Sequence, residues 1–104
     1  MLFVSYWELN EAMPVAERLQ ITQKLLSRGM IPFEGAKIIR WDMTPDGWGI
    51  LVGEVESAAD IDKALYMWRA AGTGFFKFTK TAPAQPVQDV LVQHAELLNL
   101  VGSR

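Results

Sequence analysis

Arg40 and Asp42 stand two apart in Lys37-Ile38-Ile39-Arg40-Trp41-Asp42, a segment whose alternation puts them on one side of a β-strand. An arginine so placed can clamp a carboxylate or a phosphate through two parallel hydrogen bonds. Asp42 can orient that arginine or accept a proton. An ion pair at a solvated strand edge accounts for the same two residues. Lys77 lies in another strand-like segment, on the side of Phe75 and Thr79, and could line one cavity with Arg40 and Asp42; exposed polar alternation explains it as well. Trp7, Trp41 and Trp48 also fall on strand segments, as core, interface or ligand stack, whereas Trp68 sits in the apolar stripe of a helix and reads as core. His94, the one histidine, lies in a helical stripe between Leu91 and Leu98. It suits a pH-sensitive interface, a haem ligand, or a hydrogen-bonded group at a core edge. Arg40, Asp42, Trp7, Lys77 and His94 are therefore the candidate ligand-binding residues, and no residue is assigned a catalytic role.

Other chemistries lack their residues. The chain has no cysteine, which removes disulfides, thiolate nucleophiles and Cys-ligated metals. A single histidine without carboxylates at ligand spacing does not make a metal centre, so no metal and no cofactor are expected. There is no P-loop and no dinucleotide fingerprint, because Gly47-Trp48-Gly49 belongs to a hairpin and not to a strand-to-helix turn. Neither Ser5 nor Ser57 has a histidine arranged nearby in sequence. A net charge of −2 with scattered Lys and Arg gives no footprint for nucleic acid. No stretch approaches the ~18 consecutive apolar residues of a membrane span. The start of the chain lacks a basic region, and Glu8 ends its apolar run too early for a signal peptide. A cytoplasmic protein is the expectation.

The elements that must position these residues follow from periodicity. Leu2–Glu8, rich in aromatic and β-branched residues, reads as a strand. Asn10 is a possible cap and Pro14 suits a first helical turn. Val15, Leu19, Leu25 and Leu26 then recur at helical spacing up to Arg28, and Gly29 ends the helix. Ala36–Met43 and Trp48–Val55 are strands joined by Thr44-Pro45-Asp46-Gly47, where proline presets a corner and glycine accepts positive φ. Ser57-Ala58-Ala59-Asp60 opens a second helix like a capping box, and Ile61, Ala64, Leu65, Trp68 and Gly72 form its buried stripe. Phe75–Thr81 is a fourth strand, followed by a Pro/Ala connector and a third helix over Pro86–Val101.

This order predicts an α+β, ferredoxin-like βαββαβ domain over residues 1–83. It has a four-stranded antiparallel sheet with two helices on one face. Residues 84–104 add a C-terminal helix to the same unit. Both strand faces carry apolar groups: Leu2, Val4 and Tyr6 against Phe3 and Trp7 in the first strand, Phe76 and Phe78 against Phe75 in the fourth. The face without helices therefore needs a cover. Two sheets packed face to face, a homodimeric α/β barrel, would supply it; a third helix folded over that face would do so in a monomer. A four-residue hairpin loop would gather Ile39, Trp41, Met43, Trp48, Ile50 and Val52 on one face. The other would hold Arg40, Asp42, Gly49, Leu51 and Gly53, hollow and polar. A three-residue loop with a glycine bulge would shift the register by one. The first register, which segregates apolar from polar, is the expectation.

Four stretches, Met1-Leu-Phe-Val-Ser-Tyr-Trp, Gly35-Ala-Lys-Ile-Ile-Arg-Trp-Asp, Gly49-Ile-Leu-Val-Gly-Glu-Val-Glu-Ser and Tyr66-Met-Trp, resemble a small bacterial family of domains of unknown function in the dimeric α/β-barrel superfamily. The resemblance covers most of the chain before the connector. It implies the barrel and the dimer but carries no catalytic residue. The wider superfamily includes cofactor-free monooxygenases, haem-degrading enzymes and chlorite-dismutase-like proteins. Haem-degrading members use an Asn on the first strand and a Trp and a His around the second helix. This chain keeps Trp68 but has Ser5, Tyr6 and Trp7 on its first strand and no histidine in that helix, which argues against haem degradation. The leading expectation is a dimer that binds a small apolar or anionic molecule in its sheet cavity. The alternatives are a monooxygenase-like or isomerase-like enzyme acting on an aromatic substrate through Asp42, Tyr6 or His94, and an interaction module working through the third helix.

Overall fold

The computed structural model describes residues 1–102. Ser103 and Arg104, the end of the expected C-terminal extension, lie outside the described residues. The elements run β1 (Leu2–Leu9), α1 (Val15–Ser27), β2 (Lys37–Met43), β3 (Trp48–Glu54), α2 (Ala58–Ala71), β4 (Phe76–Pro83) and α3 (Val87–Val101). The four strands form one antiparallel sheet in the order β2-β3-β1-β4, the ferredoxin-like arrangement. β1 alternates as expected: Phe3, Ser5 and Trp7 are buried beneath the helices, and Val4 and Tyr6 look out from the other face. Ser5, the buried polar residue of that row, is satisfied by Thr81 across the strand pair at 2.7 Å. No helix among the described residues is long and apolar enough to cross a membrane.

Two bulges and one turn set the faces differently from the expectation. Gly47 has φ 78°, and its N–H bonds to the Thr44 carbonyl while the Thr44 N–H bonds to Trp48 at 2.8 Å. That is a turn closed by a glycine bulge, so Met43 pairs with Gly49, Trp41 with Leu51 and Asp42 with Ile50. The register is one residue away from the four-residue loop. A second shift between Ile38 and Arg40 places Ile38 with Trp41 and Met43 on the helix side. Gly49 and Gly53 consequently lie under the helices and not beside Arg40 and Asp42. They are not hollows either. A Cβ at Gly49 would collide with the Asp42 carbonyl and the Trp7 ring, and one at Gly53 would stand 2.8 Å from Phe3 Cε1. These glycines let two aromatic rings lie flat on the sheet. In β4 the register shifts again, so that Phe76 pairs with Leu9 and Phe78 with Glu8. Phe76 then packs towards Trp7 and Trp68, and Phe78 towards Tyr6 on the other face; the two share no side. The strand also runs on to Pro83, where a connector was expected. Proline is tolerated there because β4 is an edge strand and the sheet is ending.

The helix termini are simpler than the sequence suggested. Asn10 caps no helix; its side chain accepts from the Ala12 N–H and donates to the Gly74 carbonyl at 2.9 Å, tying the β1 end to the β4 entry. Ser57 meets Asp60 side chain to side chain without a cap bond to the backbone. In α1 the buried positions are Ile21 and Leu25, whereas Val15, Leu19 and Leu26 stay exposed.

That exposure reflects a divided core. One cluster gathers Met13, Ile21, Leu25, Trp68 and Phe75; the other gathers Phe3, Phe33, Val55 and Ile61, with Met67 touching both. Among the described residues, no large side chain is completely enclosed. α3 joins neither cluster. None of its residues is buried, and seven of its large apolar side chains are 46–82% exposed. The radius of gyration is 17.0 Å, against roughly 13 Å for a compact domain of this length. The helix stands away from the sheet.

Candidate ligand-binding site

α1 presents Val15, Arg18, Leu19 and Thr22 as one row at i, i+3, i+4 and i+7, and that row faces a cavity. The opposite wall is the helix side of the sheet, with Phe3 and Trp7 of β1 and Ile38, Trp41 and Met43 of β2. α2 contributes Ala64, Met67 and Trp68, and the segment from Met30 to Phe33 closes one end. The cavity holds about 400 Å³ and runs between the two halves of the core, touching Trp68 and Phe75 of one and Phe3 and Val55 of the other. Its floor is where the lining is buried, at Trp7, Trp68 and Phe75. Its mouth is where Val15, Leu19, Trp41 and Met43 are exposed, between α1 and the edge strand β2. Trp68 organises the floor: its ring lies 4.7 Å from Phe75, 5.7 Å from Phe76 and 6.1 Å from Trp41.

The walls are almost wholly carbon. Arg18, Thr22, Lys37 and Asp42 are the exceptions. Thr22 donates its hydroxyl to the Arg18 carbonyl at 2.9 Å, and Asp42 is taken by Arg40. Arg18 is half-buried and has no acidic partner among the described residues. Interiors of natural domains pack to crystal-like density. An enclosed void of 400 Å³ left empty would cost on the order of 10 kcal/mol. An open pocket of this size and lining is the usual form of a small-molecule site.

The five candidate residues do not converge in the chain. Arg40 and Asp42 form an ion pair at 2.9 Å along β2, on the face away from the helices, with their side chains 67% and 49% exposed. Asp42 raises the Arg40 pKa further by hydrogen bond and charge. Asp42 borders the cavity and Trp7 forms part of its floor. Lys77, the residue left over by the β4 bulge, lines a separate and more polar hollow with Tyr6, Glu8, Glu11 and Asp46. His94 is exposed on α3. Tyr6, Asp42 and His94, the acid/base candidates, share no hydrogen bond: Tyr6 donates to Glu8 at 2.7 Å and Asp42 accepts from Arg40. Among the described residues, no group of three or more His, Asp or Glu could hold a metal ion.

Sequence reasoning missed Arg18 and the Met30–Phe33 segment. A signal for Arg18 existed, since it interrupts the row Val15, Leu19, Thr22 three residues in. On a helix of unknown orientation such a cation reads as solvated surface.

The face away from the helices carries its own aromatic group. Tyr6 lies 5.9 Å from Trp48 and 6.1 Å from Phe78, so one ring from each of β3, β1 and β4 meets in the open. The bond to Glu8 holds the Tyr6 proton and pushes its pKa above the ordinary tyrosine value of 10.0, with burial and the Glu8 charge adding to the effect. A proton bound more tightly in the folded state stabilises below the unfolded pKa, and that contribution disappears as pH rises through the folded one. In a Tyr66→Phe background, where Tyr6 is the remaining tyrosine, phenolate absorbance is expected to develop above the free-tyrosine range. Glu8→Ala should bring it back.

Compared with known proteins, the chain matches no family model and no curated protein.

Proposed function

We propose that this chain is a homodimeric α/β-barrel protein that holds a small molecule in the cavity between its sheet and its helices. The carrying observation is the 400 Å³ apolar cavity that splits the core and opens between α1 and β2. The proposed site lies on the opposite side of the sheet from the Arg40/Asp42 face.

The dimer rests on two uncovered surfaces of one chain. The open face exposes Val4, Trp48, Ile50 and Phe78, and α3 leaves its apolar residues in water. Each large apolar side chain left exposed forgoes about 1.5–3 kcal/mol. A helix of ~15 residues with no tertiary partner is marginal in water. A second copy satisfies both surfaces at once, because a twofold axis presents each patch to its own complement. This agrees with the resemblance to dimeric α/β barrels, in which the open sheet faces meet. The exposure of α3 also favours a second reading, in which that helix docks on a different protein.

Native mass spectrometry of the protein as purified from cells tests both parts. A dimer carrying a defined extra mass of small-molecule size is the expected result. A monomer would overturn the barrel and leave α3 as an interaction helix.

A further inference from the structure

Arg18 is the odd member of the cavity wall. It occupies the second position of the row Val15, Arg18, Leu19, Thr22, half-buried, on a hollow whose other polar members are Thr22, Asp42 and the exposed Lys37. No carboxylate among the described residues pairs with it. Asp42, the acidic residue that borders the cavity from β2, is already bonded to Arg40. A guanidinium drawn part-way out of water without a counter-ion loses hydration for no return. It is a complete arrangement only when an anion arrives with the ligand.

We infer that the ligand is a hydrophobic monocarboxylic acid of medium chain length, its tail in the cavity and its carboxylate on Arg18. The inference rests on the small-molecule reading of the cavity and adds the chemistry of the occupant. One half-buried guanidinium balances one negative charge and matches a carboxylate through two parallel N–H bonds. A phosphate ester brings nearly two charges and calls for more cations than this wall supplies; Lys37, at the exposed start of β2, is the other one. For the tail, Met30 and Met67 give adaptable walls, and Trp68 and Phe75 give a flat floor. Val15, Leu19, Trp41 and Met43 at the mouth explain their own exposure in these terms: they are the surface against which the chain of the acid lies. α3 is acidic as well, with Asp89 and Glu96 and no Lys or Arg. A helix, however, is about 10–12 Å across with its side chains and cannot enter a hollow of this volume as a body.

Calorimetric titration of the full chain with decanoate, decanol and decyl phosphate tests the inference. Decanoate is expected to bind at least roughly tenfold more tightly than decanol, about 1.4 kcal/mol. Arg18→Gln should abolish that advantage, so that the variant binds decanoate and decanol alike, and Arg18→Lys should keep part of it. Equal binding of acid and alcohol by the unaltered protein would overturn the carboxylate and leave the apolar cavity standing. So would an Arg18→Gln protein that keeps full affinity for decanoate. Tighter binding of decyl phosphate would overturn the single charge. Failure of all three probes to bind would remove the small-molecule reading itself. Decanoate that splits a dimer into monomers would mean that the cavity seats the second copy, and would remove both.

Discussion

Trp68→Ala is expected to lower stability by about 3–5 kcal/mol, the range for deleting a buried large aromatic side chain. The indole is only 7% exposed and lies against Phe75, Phe76 and Trp41, so it is the common contact of α2, the β4 entry and β2. In a domain of about this length each kcal/mol moves the midpoint by roughly 4–8 °C. A thermal melt should therefore fall on the order of 20 °C. The effect is larger than in a domain with one continuous core, because the cavity already separates the two apolar clusters and Met67 is the neighbour they share. Trp41→Ala serves as the comparison. Trp41 is at the cavity mouth and 40% exposed, against 7% for Trp68, and its loss should cost less. If the two variants melt within a few degrees of each other, Trp68 is not the floor of the site.

Phe78→Asp should separate the copies of the proposed dimer while leaving each chain folded. Phe78 is half exposed on the face away from the helices, beside Tyr6. In a monomer an aspartate there meets water and changes little. In the proposed dimer it places a charge without a partner inside an apolar interface, at a cost of several kcal/mol. Sedimentation equilibrium should then show the dimer dissociation constant raised by roughly a thousandfold, which corresponds to about 4 kcal/mol. Circular dichroism of the monomer should stay near that of the unaltered chain. A variant that remains fully dimeric would show that the open face is not where the copies meet, and α3 would be the remaining surface to carry the dimer.

Several features were legible in order and period alone. The alternation of Phe3, Ser5 and Trp7 with Val4 and Tyr6, the stripe from Ile61 to Trp68, and the Pro45–Gly47 corner are local patterns, and each appears as read. Local periodicity is strong enough to specify an element because each residue's partners lie within one turn or one strand. Four strands, two helices and their sequence then leave few topologies, and the ferredoxin-like order is among them.

The candidate site was not legible in the same way. Arg40 and Asp42 drew notice because they are charged residues on a strand, yet they form an exposed pair with each other. The decisive step was a single residue of register at Gly47, which moved Gly49 and Gly53 to the helix side and put Trp41 and Met43 on the cavity wall. Two further bulges, at Ile38/Arg40 and at Glu8/Leu9, did the same for Ile38 and Phe76. Side chains alternate with a period of two, so one extra residue exchanges the faces of everything beyond it.

By itself, then, the sequence of this protein determined which segments are strands and helices, that both sheet faces are apolar, and that it carries no cysteine, no P-loop motif and no dinucleotide fingerprint. Those properties depend on residue type and near neighbours. Only the tertiary structure decided where the hollow lies and that Val15, Leu19, Trp41 and Met43 line it instead of filling a core. It also decided that Arg18 is the half-buried cation of that lining, without an acidic partner among the described residues. A cavity is what is left between elements after they pack. Its position depends on bulges, on ring placement over glycines and on the distance between α1 and β2, none of which is a property of any one segment.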